Sequence, residues 1–286
     1  MKKIAIQGIQ GSFHDIAAHR YFAGEELEML YCDTFEEVVA RMKDDRSVIG
    51  MMAIENTIAG SLLSNYELLR ASGASVVGEY KLHIRHSIMC LPEDDWSDIL
   101  EVNSHPVALM QCRNFLAKHP TFKMVEHADT AGAARDIAKK GMRGHAALCH
   151  AAAAKLYGMK VLEDGIEDNK HNFTRFLVLA NPIEADSLRE RNRANKSSLV
   201  FTLPHTSGSL SHVLSIFDFY RINLTKIQSL PIIGSEWEYL FYVDVTYDDP
   251  VRYHQSVEAV RPLTSELKML GEYNEATTPG LNDNNC

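Results

Sequence analysis

Along residues 1–180 the apolar positions alternate between two spacings. KIAIQ (3–7) and EMLYC (28–32) have the pattern of short strands, whereas SFHDIAAHRYF (12–22) sets Phe13, Ile16, Ala17 and Tyr21 on one side of a helix. Thr34 is placed to cap the helix FEEVVARMK, with Glu37 three residues on to complete a capping box. VIGMMAI (48–54) is an unbroken apolar run, which predicts a strand buried on both faces, and Gly60 and Ser61 are then expected to open the helix SLLSNYELLRA. The rhythm continues with strands at ILEVNS (99–104), FKMVEH, HAALCH and KVLED. Helices are expected at HPVALMQCRNFLAKH, at TAGAARDIAKKG ending on Gly141, and at AAAAKLYG ending on Gly158. Strand–helix alternation predicts a largely parallel sheet flanked by helices. Here it suggests two α/β lobes, with crossovers near 79–90 and 160–175 and a ligand cleft between them.

After residue 182 the pattern changes. Residues 183–196 are polar and charged and read as a linker with some helical character. From 197 to 272 the predicted order is strand, helix, strand, strand, helix, strand, the ferredoxin-like split βαββαβ unit. The tail 273–286 is polar and is expected to be frayed and disordered.

Composition narrows the function. The chain has 286 residues, 45% hydrophobic and 23% charged, the balance of a soluble globular protein. No apolar run approaches the roughly 20 residues that span a bilayer, and the N-terminal apolar stretch is too short and glycine-broken for a signal peptide. Five scattered cysteines without a C-x-x-C pair agree with a cytoplasmic location. Among thirteen histidines there is no H-E-x-x-H, and HIRH (83–86) lacks neighbouring carboxylates or thiolates, so no metal site is expected. A net charge of −9 argues against a nucleic-acid surface and requires local positive features for any anionic ligand.

Four stretches carry candidate chemistry. GIQGSF (8–13) is neither a dinucleotide fingerprint nor a P-loop, but a glycine turn feeding a helix at Ser12 leaves N–H groups suited to a carboxylate; a tight turn without a ligand is the plainer alternative. AIENTIAGSLL (53–63) puts Glu55 and Asn56 at the carboxyl edge of the sheet, where open α/β sheets place ligands, followed by Thr57, Gly60 and Ser61; simple capping also fits Ser61. In VNSHPVALMQC (102–112) Ser104 reads as an N-cap, and Gln111, seven residues on, shares its side of the helix; a cap plus a surface glutamine is equally good on this evidence. HNFTRFLVLA (171–180) is a strand with Thr174 and Arg175 at its head. In a regular strand these two point to opposite faces. A purely structural Arg175 needs a buried carboxylate partner; the functional reading makes that partner a carboxylate of the substrate.

These motifs, together with GEYKLHIRHSIM and HAALCHAAAAKLYGMKVLEDGIEDN, occur in the order seen in prephenate dehydratases, and residues 197–271 resemble the ACT regulatory domain that follows the catalytic part in that family. The resemblance implies a two-lobed catalytic part of periplasmic-binding-protein type II form over residues 1–182. It implies loss of CO2 and water from prephenate to give phenylpyruvate, without metal or organic cofactor. It also implies catalytic roles for Thr174, Arg175, Glu55, Asn56, Ser104 and Gln111, and substrate contacts from Ser12, Thr57, Gly60, Ser61 and Phe176. Thr174 or Glu55 would supply the proton, Glu55 only if burial raised its pKa. L-Phenylalanine would act as effector at Gly208, Ser209, Leu210, Asn223, Leu224, Gln228, Ser229 and Leu230, on a homo-oligomer, dimer or tetramer. Gln228 and Leu230 depart from the E-S-R-P strand end of the family. Arogenate dehydration and a non-catalytic amino-acid sensor are the alternatives.

Overall fold

The computed structural model describes residues 1–188, 194–232 and 239–279. The first lobe runs β1 (Lys2–Gln7), α1 (Phe13–Tyr21), β2 (Leu27–Cys32), α2 (Phe35–Asp44), β3 (Ile49–Asn56), β4 (Gly60–Ser61), α3 (Leu63–Ser72) and β5 (Ser75–His83). The chain then crosses to a second lobe: β6 (Ser87–Cys90), β7 (Glu101–Ser104), α4 (Pro106–Gln111), α5 (Arg113–Leu116), β8 (Lys123–Glu126), α6 (Thr130–Lys140), β9 (His145–Cys149), α7 (Ala152–Tyr157) and β10 (Lys160–Asp164). It returns as β11 (Phe173–Ala180), which inserts between β3 and β5, and continues into α8 (Pro182–Leu188). The first sheet has the order β2-β1-β3-β11-β5 and the second β10-β6-β9-β7-β8. In each, βα units give parallel pairs (β1 with β2 and β3, β7 with β8 and β9), and the crossing strands add antiparallel ones.

The C-terminal unit is β12 (Lys196–Thr202), α9 (Ser209–Phe219), β13 (Asn223–Pro231), β14 (Tyr239–Thr246), α10 (Pro250–Val260) and β15 (Glu266–Tyr273), an antiparallel sheet ordered β13-β14-β12-β15. The βαββαβ order expected from the pattern is present.

Strand period explains how the pieces stack. Met51 and Ala53 pack on one face of β3 with Phe176 and Val178, under α1. Met52 and Ile54 face the other way, into a core shared with Val200, Leu230, Leu240, Tyr242 and Leu270 of the C-terminal sheet. The unbroken apolar run is therefore buried on both faces because a second sheet covers it. The approach is close enough that a side chain on Gly271 would put its Cβ 2.0 Å from the Val76 backbone oxygen. Further α9 and α10 cover the opposite face, where Leu199, Phe201, Val213, Phe217, Val257 and Val260 form a separate core.

Several local expectations need correction. Thr34 does cap α2, accepting from the Glu37 N–H. Gly60 and Ser61 do not open a helix: they pair back onto β3, and α3 begins at Leu63 with no side-chain cap. The cause is Asn56, whose Oδ1 accepts the N–H groups of Ile58 and Ala59 and turns the chain. Ser104 is not the cap of α4; His105 is, accepting from the Val107 N–H, while Ser104 ends β7. The tail is tied down at its start, since Glu275 N–H donates to Asn195 and Ala276 N–H to Glu79. Residues 280–286 of that tail, and 189–193 of the expected linker, lie outside the described residues.

Candidate active site

A cavity of about 300 Å3 opens between the two lobes. The first lobe contributes the α1 start (Ser12, Phe13, His14) and the end of β3 (Ala53, Asn56); the crossing strands contribute His86, Thr174 and Phe176; the second lobe contributes His105, Gln111 and Thr130. They gather at the edges formed by the carboxyl ends of the parallel strands β1, β3 and β7, the usual ligand edge of such sheets, where antiparallel β11 begins. A larger cavity, about 580 Å3, opens between the first lobe and the C-terminal stretch near Tyr80 and Glu275, and none of the expected site residues lines it.

The polar groups of the cleft form a chain whose direction is settled by the backbone. Asn56 Oδ1 is occupied by two backbone N–H groups at 2.9 and 2.8 Å, so its Nδ2 must be the donor to Asn172 Oδ1 at 2.7 Å, to Phe173 O at 3.2 Å and to Thr174 Oγ1 at 3.0 Å. Asn172, with its oxygen taken, donates through Nδ2 to Gln111 Oε1 at 3.1 Å. His86 Nε2 lies 3.0 Å from the same oxygen. Two ends of this chain are uncommitted among the described residues: the Thr174 hydroxyl proton and the two N–H groups of Gln111 Nε2. Both line the cavity, and both are donors.

The remaining positive features are backbone dipoles. Ser12 caps α1, accepting from the Asp15 N–H, which leaves Phe13 and His14 N–H groups of the first turn without intrahelical acceptors. His14 carries no charge at neutral pH, because burial lowers its pKa to about 4. It accepts from the Ala53 N–H at 3.3 Å and meets the Phe176 ring edge-on at 4.9 Å, which holds that ring as a cavity wall. Among the described residues no lysine or arginine lines the cleft.

Arg175 is the largest correction. Thr174 faces the cleft, and strand alternation turns Arg175 to the far face of the sheet, towards the C-terminal unit. There it is 6% exposed. Its Nε donates to Glu79 at 2.5 Å, its Nη1 to Asp244 at 2.5 Å and Glu55 at 3.2 Å, and its Nη2 to the Tyr273 hydroxyl at 3.0 Å. Lys196 adds a 3.0 Å bond to Glu79, and Lys226 pairs with Glu55 and donates to Ser61 at 2.9 Å. The guanidinium is thus held by internal carboxylates, as the structural alternative required, on the face of the sheet away from the cleft.

Glu55 and Ser61 leave the site with it, since both face this junction. Glu55 is also no acid: burial pushes its pKa up, but Arg175 and Lys226 outweigh burial and hold it below the ordinary value, so it stays ionised. Ser104 is fully buried and bonds the Leu148 carbonyl at 2.5 Å. Thr57 clasps the start of β11, donating to His171 O at 3.0 Å and accepting from the Phe173 N–H at 2.9 Å, and Gly60 is exposed at the start of β4. Of the expected residues the cleft brings together Ser12, Asn56, Gln111, Thr174 and Phe176. Sequence reasoning missed Asn172 and His86. Asn172 stands directly before the F-T-R-F stretch, and His86 was weighed only as a metal ligand.

The junction has a pH signature. Burial raises the pKa of Asp244 and of Glu55, and Arg175 overcomes it in both, so both end below their ordinary values. A carboxylate whose pKa falls on folding stabilises the native state above its ordinary value, about 4, and loses that contribution as pH drops through the lowered one. Stability of the junction is therefore expected to be level from neutral pH to about pH 4 and to fall below it. Melting temperatures across that range, with Arg175→Met as the reference, check this.

The sequence model described as prephenate dehydratase matches residues 4–184, which include every cleft residue named above. The chain belongs to the prephenate dehydratase family. It is 36% identical to arogenate dehydratase/prephenate dehydratase 2 of Arabidopsis thaliana, over 96% of this chain and 74% of that one. It is 31% identical to a bifunctional chorismate mutase/prephenate dehydratase of Buchnera aphidicola, over 95% and 71%. Among solved structures, the prephenate dehydratase of Staphylococcus aureus matches with a TM-score of 0.82 at 27% identity, over 95% of this chain and 100% of that one. A quorum-quenching acylase, GqqA, matches at 0.83 and 27%, over 96% and 98%. Prephenate dehydratase of Arthrobacter aurescens, described in complex with L-Phe, matches at 0.85 and 24%, over 96% and 90%, and shares the fold. Prephenate dehydratases are lyases, and the two-lobed part followed by a βαββαβ unit is the architecture of these neighbours.

Proposed function

We propose that the inter-lobe cleft converts prephenate to phenylpyruvate, CO2 and water. The observation that carries this reading is the orientation of Asn56, which donates to Thr174 Oγ1 and leaves the Thr174 proton for the ligand. In the reaction the bond from ring carbon to carboxylate breaks, its electron pair enters the ring as the diene becomes aromatic, and the hydroxyl opposite departs as water with one proton taken up from solvent. Thr174 donates a hydrogen bond to that hydroxyl as negative charge develops on its oxygen, the kind of stabilisation that acts mainly in the transition state. Gln111 Nε2 and the first turn of α1 supply donors for the carboxylates, and Phe13 and Phe176 supply apolar walls for the ring. An acylase shares the fold, but a Thr174 that accepts from an amide and keeps its proton suits a donor better than a nucleophile.

The same reading takes residues 1–182 as catalytic, 183–196 as linker and 197–272 as an ACT unit that binds L-phenylalanine in a homo-oligomer. In support, Gly208 holds a left-handed φ of 82° at the start of α9, next to Ser209 and Leu210, and β13 is an edge strand that exposes Asn223 and Ser229. Leu230 is not available to an effector, because it is buried in the core shared with the first lobe, and Leu224 packs in the core beneath α9. Gln228 bonds the Ser229 carbonyl. Among the described residues no helix is long and apolar enough to cross a membrane, and the four described cysteines are free thiols, in keeping with a cytoplasmic enzyme.

Arogenate is the second reading, since relatives carry both names. Parallel assays with prephenate and arogenate, each with and without phenylalanine, test the proposal. The expected result is phenylpyruvate from prephenate, reduced by phenylalanine. Product from arogenate alone transfers the activity to the second reading, and product from neither rejects both.

A further inference from the structure

His86 lines the cleft yet takes no part in the steps above. It is 1% exposed, its backbone N–H donates to Glu167 at 2.9 Å, and the Phe13 ring meets it edge-on at 5.5 Å. Its Nε2 is 3.0 Å from Gln111 Oε1, and its Nδ1 is buried with no partner among the described residues. We infer that His86 is a positioning residue: its Nε2–H locks the Gln111 amide with both N–H groups towards the cleft, which makes that wall a receptor for a carboxylate.

The direction of the bond follows from the chain of amides. Two backbone N–H groups fix Asn56, Asn56 fixes Asn172, and Asn172 donates to Gln111 Oε1. That oxygen is therefore an acceptor, and an Nε2 lone pair facing it would set two acceptors 3.0 Å apart. The imidazole must carry its proton on Nε2. Burial also lowers the His86 pKa, so the ring is neutral, and with its one proton on Nε2 the Nδ1 is bare. Two donors on Oε1 commit the oxygen side of the amide and leave only N–H groups for a ligand. Such a wall accepts a carboxylate or keto oxygen and rejects an ammonium group.

This inference rests on the dehydratase reading for its kinetic consequence but not for the tautomer. Side-chain 15N NMR of the full chain with labelled histidine, with His86→Phe to assign the signal, is expected to show His86 neutral, protonated on Nε2 and bare on Nδ1. His86→Phe, which keeps the ring but not the donor, is expected to raise KM for prephenate about tenfold, the worth of one ordinary hydrogen bond, with kcat within about threefold. His86→Gln, which places an amide N–H near the lost Nε2–H, is expected to stay within about threefold of the parent in both. A proton on Nδ1, an unchanged KM in the phenylalanine variant, a loss confined to kcat, or equal losses in both variants would each overturn the assignment. If the parent chain turns over neither prephenate nor arogenate, the functional reading fails and the tautomer alone decides the inference.

Discussion

Arg175→Met is expected to destabilise the protein by about 3–5 kcal/mol in chemical denaturation, the cost of breaking a buried ion-pair network, which leaves Asp244 without its direct cation while Glu79 keeps Lys196. Glu79 and Asp244 are both almost fully buried, at 3% and 5% exposure, and each has Arg175 as a direct partner. The guanidinium spans four groups from both structural units, Glu55 and Glu79 on one side and Asp244 and Tyr273 on the other. Arg175→Lys is therefore expected to recover only part of the loss, because an ammonium cannot reach four partners arranged around a planar fork. Were Arg175 a substrate ligand, the methionine variant would keep its stability and raise KM by about a hundredfold, as expected for a lost charge-assisted bond of 2–3 kcal/mol. The two outcomes are opposite in kind, and one pair of measurements separates them.

Thr174→Val is expected to lower kcat about 10²–10³-fold while leaving the fold intact, the range found when one transition-state donor is removed. The substitution is close to isosteric. Asn56 Nδ2 loses one acceptor but keeps Asn172 Oδ1 and Phe173 O, so the amide chain survives. Thr174→Ser, which keeps the hydroxyl, is expected to retain most of the turnover. A valine variant with near-normal kcat would remove the hydroxyl from the mechanism and leave binding and orientation as the sole work of the cleft.

The architecture was largely readable from the chain because each element had its own period. The βαββαβ order and most strand positions of both lobes followed from apolar spacing and from caps at Thr34, Gly141 and Gly158, whereas β4 was missed and β5 and β6 were seen only as a crossover. The site was readable only in half. Two-residue alternation separates Thr174 from Arg175, yet nothing local says which face meets the cleft. The groups that decide it, Glu79 and Asp244, lie 96 and 69 residues away. Ser104 and Ser61 failed for a related reason: a hydroxyl near a helix start reads as a cap, and both were claimed by distant partners, the Leu148 carbonyl and the Lys226 ammonium. The amide chain through Asn172 joins segments 61 and 116 residues apart and has no sequence signal beyond a polar residue at a strand's edge.

This arrangement also assigns the C-terminal unit a place beside the chemistry. The strand that presents Thr174 to the cleft presents Arg175 to Asp244 and Tyr273, so the two faces of one β-segment serve two different parts of the protein. On the proposed reading an anion is received by helix ends and neutral amides, since no lysine or arginine of the described residues lines the cleft.

The most direct test is a crystal structure of the Thr174→Val variant, slow enough to trap its ligand, soaked with prephenate. The account predicts prephenate between the lobes, a carboxylate oxygen within hydrogen-bond distance of Gln111 Nε2 or the first-turn N–H groups of α1, and Arg175 still held by Glu79 and Asp244. A carboxylate bound to Arg175, with those two acids released, would contradict it.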